Sequence, residues 1–180
     1  MEWYVLFVQT GKEEMVQKSL RYFFDESFLQ PFVPKRLLPE KRLGKLEYTS
    51  KTLFPGYVFI KTNMDQSLYH KLKNVPGYYR VLGNGSQFSA VTDEEMAVIN
   101  ELTRHSETVD ISRIYLINSR VVVKSGPLQG LEGIIHKVDP RKRRAKILLN
   151  LAGEPKIVDV GIEVITKTVN AYYYTLPWFE

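Results

Sequence analysis

The chain has 180 residues, of which 44% are hydrophobic and 25% charged, enough for one mid-sized domain or two small ones joined by a linker. It contains no Cys, which excludes disulfides, thiolate zinc sites and cysteine nucleophiles. The net charge of +5 leans toward a polyanionic partner.

Trp3 to Val8 is an aromatic and β-branched run that predicts a buried strand. Thr10-Gly11 breaks it, and Glu13 to Phe24 reads as a helix: Val16, Leu20 and Phe24 recur every four residues, and Glu13 and Glu14 sit at the positive end of the helix dipole. From Phe32 to Thr49 the prolines 31, 34 and 39 and Gly44 forbid a helix. Extended strands with a basic hairpin around Glu40 to Lys45 are expected there. Tyr57 to Lys61 is a second core strand. Asp65 is placed to cap a helix that carries Leu68, Leu72 and Val75 on one face. Tyr78 to Leu82 is a short strand before the Gly83-Asn84-Gly85 turn. Thr92-Asp93-Glu94-Glu95 spells a capping box, opening a helix with Met96, Ile99 and Leu102 inward.

Beyond Arg104 the pattern changes. Residues 106–119 are polar at first and without period, and read as a linker between a first domain at 1–105 and a second at 120–167. The second is all short strands and turns (VVVK, SGPLQG, GIIHKV, DPRKRR, AKILLNL, AGEP, KIVDV), which suggests a small barrel whose closure removes exposed strand edges. An aromatic tail follows at 168–180. Charge is divided the same way. Bases and acids balance over residues 1–110, and the surplus lies in 120–167, densest at Arg141-Lys142-Arg143-Arg144 with Lys146 close behind.

Catalytic patterns are lacking. His70, His105 and His136 have no sequence-local partner of the kind a triad or metal motif supplies. Gly126, Gly130 and Gly133 precede a strand rather than a helix, so they read as turn and bulge glycines and not as a phosphate loop. A non-enzymatic protein without metal or cofactor is expected. The short N-terminal apolar run, preceded by acidic Glu2, argues against a secretory signal, and no run reaches the roughly 18 residues needed to span a bilayer. The expected setting is therefore cytoplasmic.

Three segments carry a resemblance. WYVLFVQTGKEE at the N-terminus and KTLFPGYVFIK at 51–61 resemble the N-terminal domain of NusG-type transcription factors, and VVVKSGPLQGLEGII at 121–135 resembles a KOW motif. Val75-Pro76-Gly77 and the following VLG at 81–83 fit the same pattern. The resemblance spans almost the whole chain in the family order. It implies an α+β fold: a four-stranded antiparallel sheet flanked by helices, then a five-stranded SH3-like barrel. It also implies a first domain that binds the clamp helices of the RNA polymerase β′ subunit through an apolar depression. The matching positions are Trp3, Phe54, Pro55, Gly56 and Tyr57, of which Phe54 is expected at the interface because a Pro-Gly turn can present an aromatic at a strand edge. Trp3 is the one expected to pack inward.

Two departures stand out. Where general NusG factors carry an aromatic in the barrel loop that meets ribosomal protein or Rho, this chain reads Leu149-Asn150-Leu151-Ala152-Gly153. The RKRR cluster and the aromatic tail look like additions. Both suggest a specialised member similar to the LoaP antiterminators. Such a factor would be a monomer that contacts a hairpin in a nascent RNA leader through Lys124, Arg141, Lys142, Arg143, Arg144 and Lys146, since guanidinium groups bond phosphates in pairs and stack on unpaired bases. Lys35, Arg36, Lys41, Arg42 and Lys45 would face non-template DNA or polymerase. The competing readings are a general NusG factor coupled to Rho or the ribosome, and a ribosome-associated KOW protein. The VVVK and KIVDV runs favour an all-β barrel that does not switch fold.

Overall fold

The computed structural model describes residues 1–84, 87–104, 106–117 and 120–165. His105 and the aromatic tail lie outside the described residues. The first half runs β1 (Glu2–Val8), α1 (Glu13–Phe23), β2 (Leu29–Phe32), β3 (Lys35–Arg42), β4 (Lys45–Thr52), β5 (Tyr57–Thr62), α2 (Gln66–Leu72), β6 (Tyr78–Val81), the short strands β7 (Gly83–Asn84), β8 (Gln87–Phe88) and β9 (Ala90–Val91), then α3 (Asp93–Thr103). The second half runs β10 (Thr108–Val109), β11 (Ser112–Ile117), β12 (Arg120–Ser125), a 3-10 turn at Glu132–Ile134, β13 (Ile135–Asp139), β14 (Arg144–Leu151) and β15 (Glu154–Val164).

β1 occupies the centre of an antiparallel sheet ordered β2-β5-β1-β6, with β9 pairing to the start of β1. Its side chains alternate, as the pleat requires. Tyr4, Leu6 and Val8 join Val16 and Leu20 of α1 and Leu68 and Leu72 of α2 in one core. Val5, on the other face, joins Leu53, Phe54, Phe59 and the α3 residues Met96, Ile99 and Leu102 in a second core. The helix signals read from sequence operate as expected. Asp65 accepts from the Leu68 amide at 2.7 Å. In the capping box Thr92 Oγ1 accepts from the Glu95 amide, and Glu95 accepts from the Thr92 amide.

The second half is a curled five-stranded sheet, ordered β12-β11-β15-β14-β13, with β11 and β15 parallel and the other pairs antiparallel. This is an SH3-like barrel, and the chain is α+β as expected. Its interior holds Ile114, Val123, Ala145, Ile147, Leu149, Val158 and Val160. These residues are continuous with the second core of the first half.

One expectation changes. The stretch read as a linker at 106–119 is largely structured: β10 runs parallel to β3, forming a three-stranded sheet with the β3–β4 hairpin, and β11 is the first strand of the barrel. Its strands leave no periodic signal in the sequence, because Val109, Ser112 and Ile114 are buried among more exposed neighbours over too few residues to show a period. The two halves are in contact, with one core running through both and hydrogen bonds from Arg36 and Glu95 across the junction.

Candidate functional site

The turn Phe54-Pro55-Gly56-Tyr57 is closed by the Tyr57 amide donating to the Phe54 carbonyl at 3.1 Å. Pro at the second position and Gly56 at φ +83° in the third are what a type II turn demands. The Gly56 amide donates to Glu13 Oε1 at 2.6 Å, and its carbonyl accepts from the Val8 amide at 2.9 Å. A Cβ on Gly56 would meet Thr10 Oγ1 at 3.1 Å, so both the backbone conformation and the space select glycine. Glu13, which sequence reading assigned to the helix dipole, is buried and has this second task.

Aromatic rings line the same face. Trp3 is half-buried and meets Phe32 edge-on, with Lys61 over its ring. Phe7 meets Tyr57 at 4.9 Å and carries Arg80 at 4.1 Å. Tyr57 has Lys156 of the barrel 6.0 Å above it. Pro55 is exposed, but Phe54 is only 2% exposed and stacks obliquely on Phe59. The expectation of an aromatic presented at a strand edge is therefore not met in this arrangement. The reason is tertiary: Phe54 belongs to the core that continues into the barrel.

Polar contacts hold the halves together. Ala152 (φ +50°) and Gly153 (φ +80°) form the two-residue turn between β14 and β15, flanked by the Leu151–Glu154 pair. Both central residues are left-handed, as the tightest β-hairpins require. Their amides donate to Glu95, Ala152 to Oε2 at 3.0 Å and Gly153 to Oε1 at 2.9 Å. One carboxylate thus caps α3 and grips the barrel. Arg104, left-handed at the end of α3, donates to the Gly126 carbonyl at 2.6 Å. Arg36 donates to the Asp159 carbonyl at 2.6 Å. Burial pulls the Arg36 guanidinium below its ordinary value, Asp159 opposes that shift, and nearby Arg144 adds to it. At Gly161 the backbones approach so closely that a Cβ would lie 2.5 Å from the Leu37 carbonyl oxygen.

The basic residues separate into two groups. Arg141, Lys142 and Arg143 are exposed on the β13–β14 turn, which Asp139 stabilises by accepting from the Lys142 amide at 3.0 Å. That bond holds the Asp139 carboxyl below the usual range. Arg144 and Lys146 are instead engaged. Lys146 pairs with Asp159 at 3.0 Å, and Arg144 lies 3.9 Å from both Asp159 and Glu40. Lys124 stands over the Tyr115 ring at 5.9 Å on β12. Of the first-half bases, Lys35 pairs with Glu14 at 2.9 Å and Arg36 turns to the barrel, whereas Lys41, Arg42 and Lys45 remain exposed on the β3–β4 hairpin. Arg36 therefore does not face outward as its sequence neighbours suggested. Lys41 and Arg42 meet Arg141 to Arg144 across a groove of about 620 Å³. Among the described residues no group of three or more His, Cys, Asp or Glu is placed to hold a metal, and no helix is long and apolar enough to cross a membrane.

A helix-flanked antiparallel sheet with an aromatic-Pro-Gly turn, followed by an SH3-like barrel, defines a two-part architecture, and comparisons with known proteins give it a family. The family model described as transcription termination factor nusG matches residues 1–100. A transcription termination/antitermination protein NusG of Rickettsia felis is 26% identical over 172 residues, covering 92% of this chain and 90% of that protein. The protein of the same name from Vibrio parahaemolyticus is 29% identical, covering 92% and 94%. Among solved structures, one titled "Domain interaction in Thermotoga maritima NusG" superposes with a TM-score of 0.51 at 22% identity, over 89% of this chain and 93% of that one. The chain belongs to the NusG family of transcription factors.

Proposed function

We propose that the protein is a processive antitermination factor of the LoaP type. In this reading the first half binds the clamp helices of the polymerase β′ subunit through Trp3, Phe54, Pro55, Gly56 and Tyr57, and the barrel holds a hairpin of the nascent RNA. Binding at both ends, not catalysis, is the mechanism. The observation that carries the RNA half is the β13–β14 turn: Arg141 and Arg143 are exposed and make no ion pair among the described residues. A solvated tip would leave such a cluster idle, whereas phosphates would use it.

The polymerase half is supported by the preorganised turn at 54–57 and by the aromatic face around it. Phe54 is buried in a core that continues into the barrel, and in this reading its engagement requires the halves to part. Undocking becomes the step that converts a waiting form into a binding form. The relatives' names favour one competing reading, a general elongation and termination factor. Against it, the loop at 149–153 lacks the aromatic that would meet a ribosomal protein or Rho, and two of its amides are occupied by Glu95.

The test is retention of RNA polymerase by immobilised Phe54→Ala protein, with circular dichroism as the folding control. An interface anchor costs about 2 kcal/mol or more when truncated, so retention should fall about thirtyfold or more in a variant that stays folded, whereas loss of structure would return Phe54 to a purely core role. Unchanged retention would remove Phe54 from the interface.

A further inference from the structure

The α1 helix carries an apolar stripe that the core does not use. Its buried face is Glu13, Val16, Gln17 and Leu20. Met15, Tyr22 and Phe23 lie to one side of that face, at the i, i+7, i+8 spacing that aligns side chains along a helix. Tyr22 is 85% exposed and Phe23 57%, and their rings meet edge-on at 5.3 Å. The stripe borders a depression of about 240 Å³ lined by Phe23, Phe24, Lys71, Asn74 and Val75. The turn after α2 forms the opposite bank, so close to α1 that a Cβ on Gly77 would lie 3.3 Å from Met15 Cε. Lone exposed hydrophobic residues are ordinary, but neighbouring rings beside an apolar depression mark a contact surface. Charge tells which kind. Lys12 and Lys18 stand one turn before Met15 and Tyr22, and Lys71 lines the depression. None of the three makes an ion pair among the described residues. The neighbouring acids are occupied: Glu13 accepts from the Gly56 amide, Glu14 pairs with Lys35, and Asp25 accepts from Ser27. Glu26 lines a separate depression beyond Phe24.

We propose that this stripe and depression form a docking surface for an acidic amphipathic helix of a partner protein. Such a helix lays its apolar ridge into the depression and turns its carboxylates toward the three lysines. Concavity sets a helix apart from a lipid surface, which presents nothing to fill a depression. The apolar centre sets it apart from nucleic acid, whose phosphates call for denser charge, and Arg21 nearby is already paired with Glu107. The surface uses residues that neither the polymerase reading nor the RNA reading uses. Because α1 packs on the sheet face opposite Trp3, Phe7 and Tyr57, a helix bound here leaves that aromatic face free.

The experiment measures, by anisotropy, binding of a fluorescein-labelled helical peptide to the full chain. The peptide carries leucine along one face and glutamate along the other. Tyr22→Ser/Phe23→Ser is expected to weaken binding about tenfold or more, as loss of aromatic anchors does. Lys18→Glu/Lys71→Glu is expected to weaken it as far, and the wild-type affinity should fall as salt rises. Lys41→Glu/Lys45→Glu reverses two charges on the β3–β4 hairpin and should leave binding unchanged. All these side chains are exposed, and circular dichroism checks that each variant keeps the fold. Absence of binding, or equal binding by the Tyr22/Phe23 variant, would overturn the surface. An equal loss in the hairpin variant would reduce the effect to net charge and overturn the site. Equal binding of a peptide with lysine in place of glutamate would overturn the acidic partner. Preferential binding to vesicles of phosphatidylserine and phosphatidylcholine would overturn the helix in favour of a lipid surface. Self-association in sedimentation that the Tyr22/Phe23 variant abolishes would overturn it in favour of a second copy of this chain.

Discussion

Replacing Gly161 by Val should separate the two halves without unfolding either. Gly161 lies in β15, and its φ is not in the left-handed region, so a β-branched residue suits its backbone. The obstruction comes from across the junction. A Cβ there would lie 2.5 Å from the Leu37 carbonyl oxygen and 3.3 Å from Pro39 Cδ, and would also run into Ile111 Cδ1. The tip of Ile111 can rotate away, but a backbone oxygen within a strand cannot. Restoring ordinary contact needs a retreat of about 1 Å. That stretches the 2.6 Å bond from Arg36 to the Asp159 carbonyl out of hydrogen-bonding range. Overpacking of this kind costs about 1–3 kcal/mol, borne by the docked form alone. A penalty of about 2 kcal/mol shifts the docking equilibrium roughly thirtyfold. Amide hydrogen exchange at Ala152 and Gly153, whose N–H groups are held by Glu95 across the junction, should accelerate by a similar factor. The ladder between β14 and β15 should keep its protection, and polymerase retention should rise. A folded Gly161→Val protein with unchanged exchange at both amides would show that the Leu37 carbonyl does not obstruct a side chain at this position.

Changing Arg141, Arg143 and Arg144 together to Ala should weaken RNA binding and lower the magnitude of the log–log salt slope by about 2–3 units if all three reach phosphate; wild-type affinity and slope would move RNA contact elsewhere. Because Arg144 is already committed to Glu40 and Asp159, the Arg141/Arg143 double variant should reproduce most of the effect. Acid should loosen the molecule: Glu40, held low by Lys51, Asp139, held low by the Lys142 amide, and Glu154, held low by Lys156, stabilise the fold above the ordinary carboxylate range and lose that contribution as pH falls through their depressed values. The melting temperature should drop below about pH 4, and a flat profile down to about pH 3 would contradict this. Ala152→Gly should stabilise the chain by about 1 kcal/mol, because glycine adopts the left-handed conformation that costs alanine roughly that much; a lower melting temperature would count against the strain argument.

What could be read from the sequence was local. The alternation of Tyr4, Leu6 and Val8 against Trp3, Val5 and Phe7, the Asp65 cap and the Thr92–Glu95 box each depend on residues within a few positions of one another. The Pro55-Gly56 turn was legible for the same reason. What escaped depends on partners far along the chain. Glu95 reads as a capping residue, and nothing near it foretells that its carboxylate also accepts from two amides at 152 and 153. Arg36 stands in a basic stretch and looks like its neighbours, yet its guanidinium reaches a carbonyl at 159. Arg144 likewise ends a run of four bases but belongs energetically to Asp159 and Glu40. Phe54 stands in a legible turn, but its burial comes from packing on Phe59 within a core whose members lie far apart along the chain, which no local pattern encodes. Gly161 offered a faint signal, a glycine within the V-rich run of β15, where a side chain would normally add to the core.

Under the proposed function the chain acts on RNA polymerase. The direct measurement presents the immobilised full chain, and its Gly161→Val variant, separately to purified RNA polymerase and to ribosomal subunits. Retention of polymerase by both proteins, stronger for the variant, and no retention of ribosomal subunits is the predicted result. Capture of ribosomal subunits by both proteins, with polymerase passing through, would contradict it.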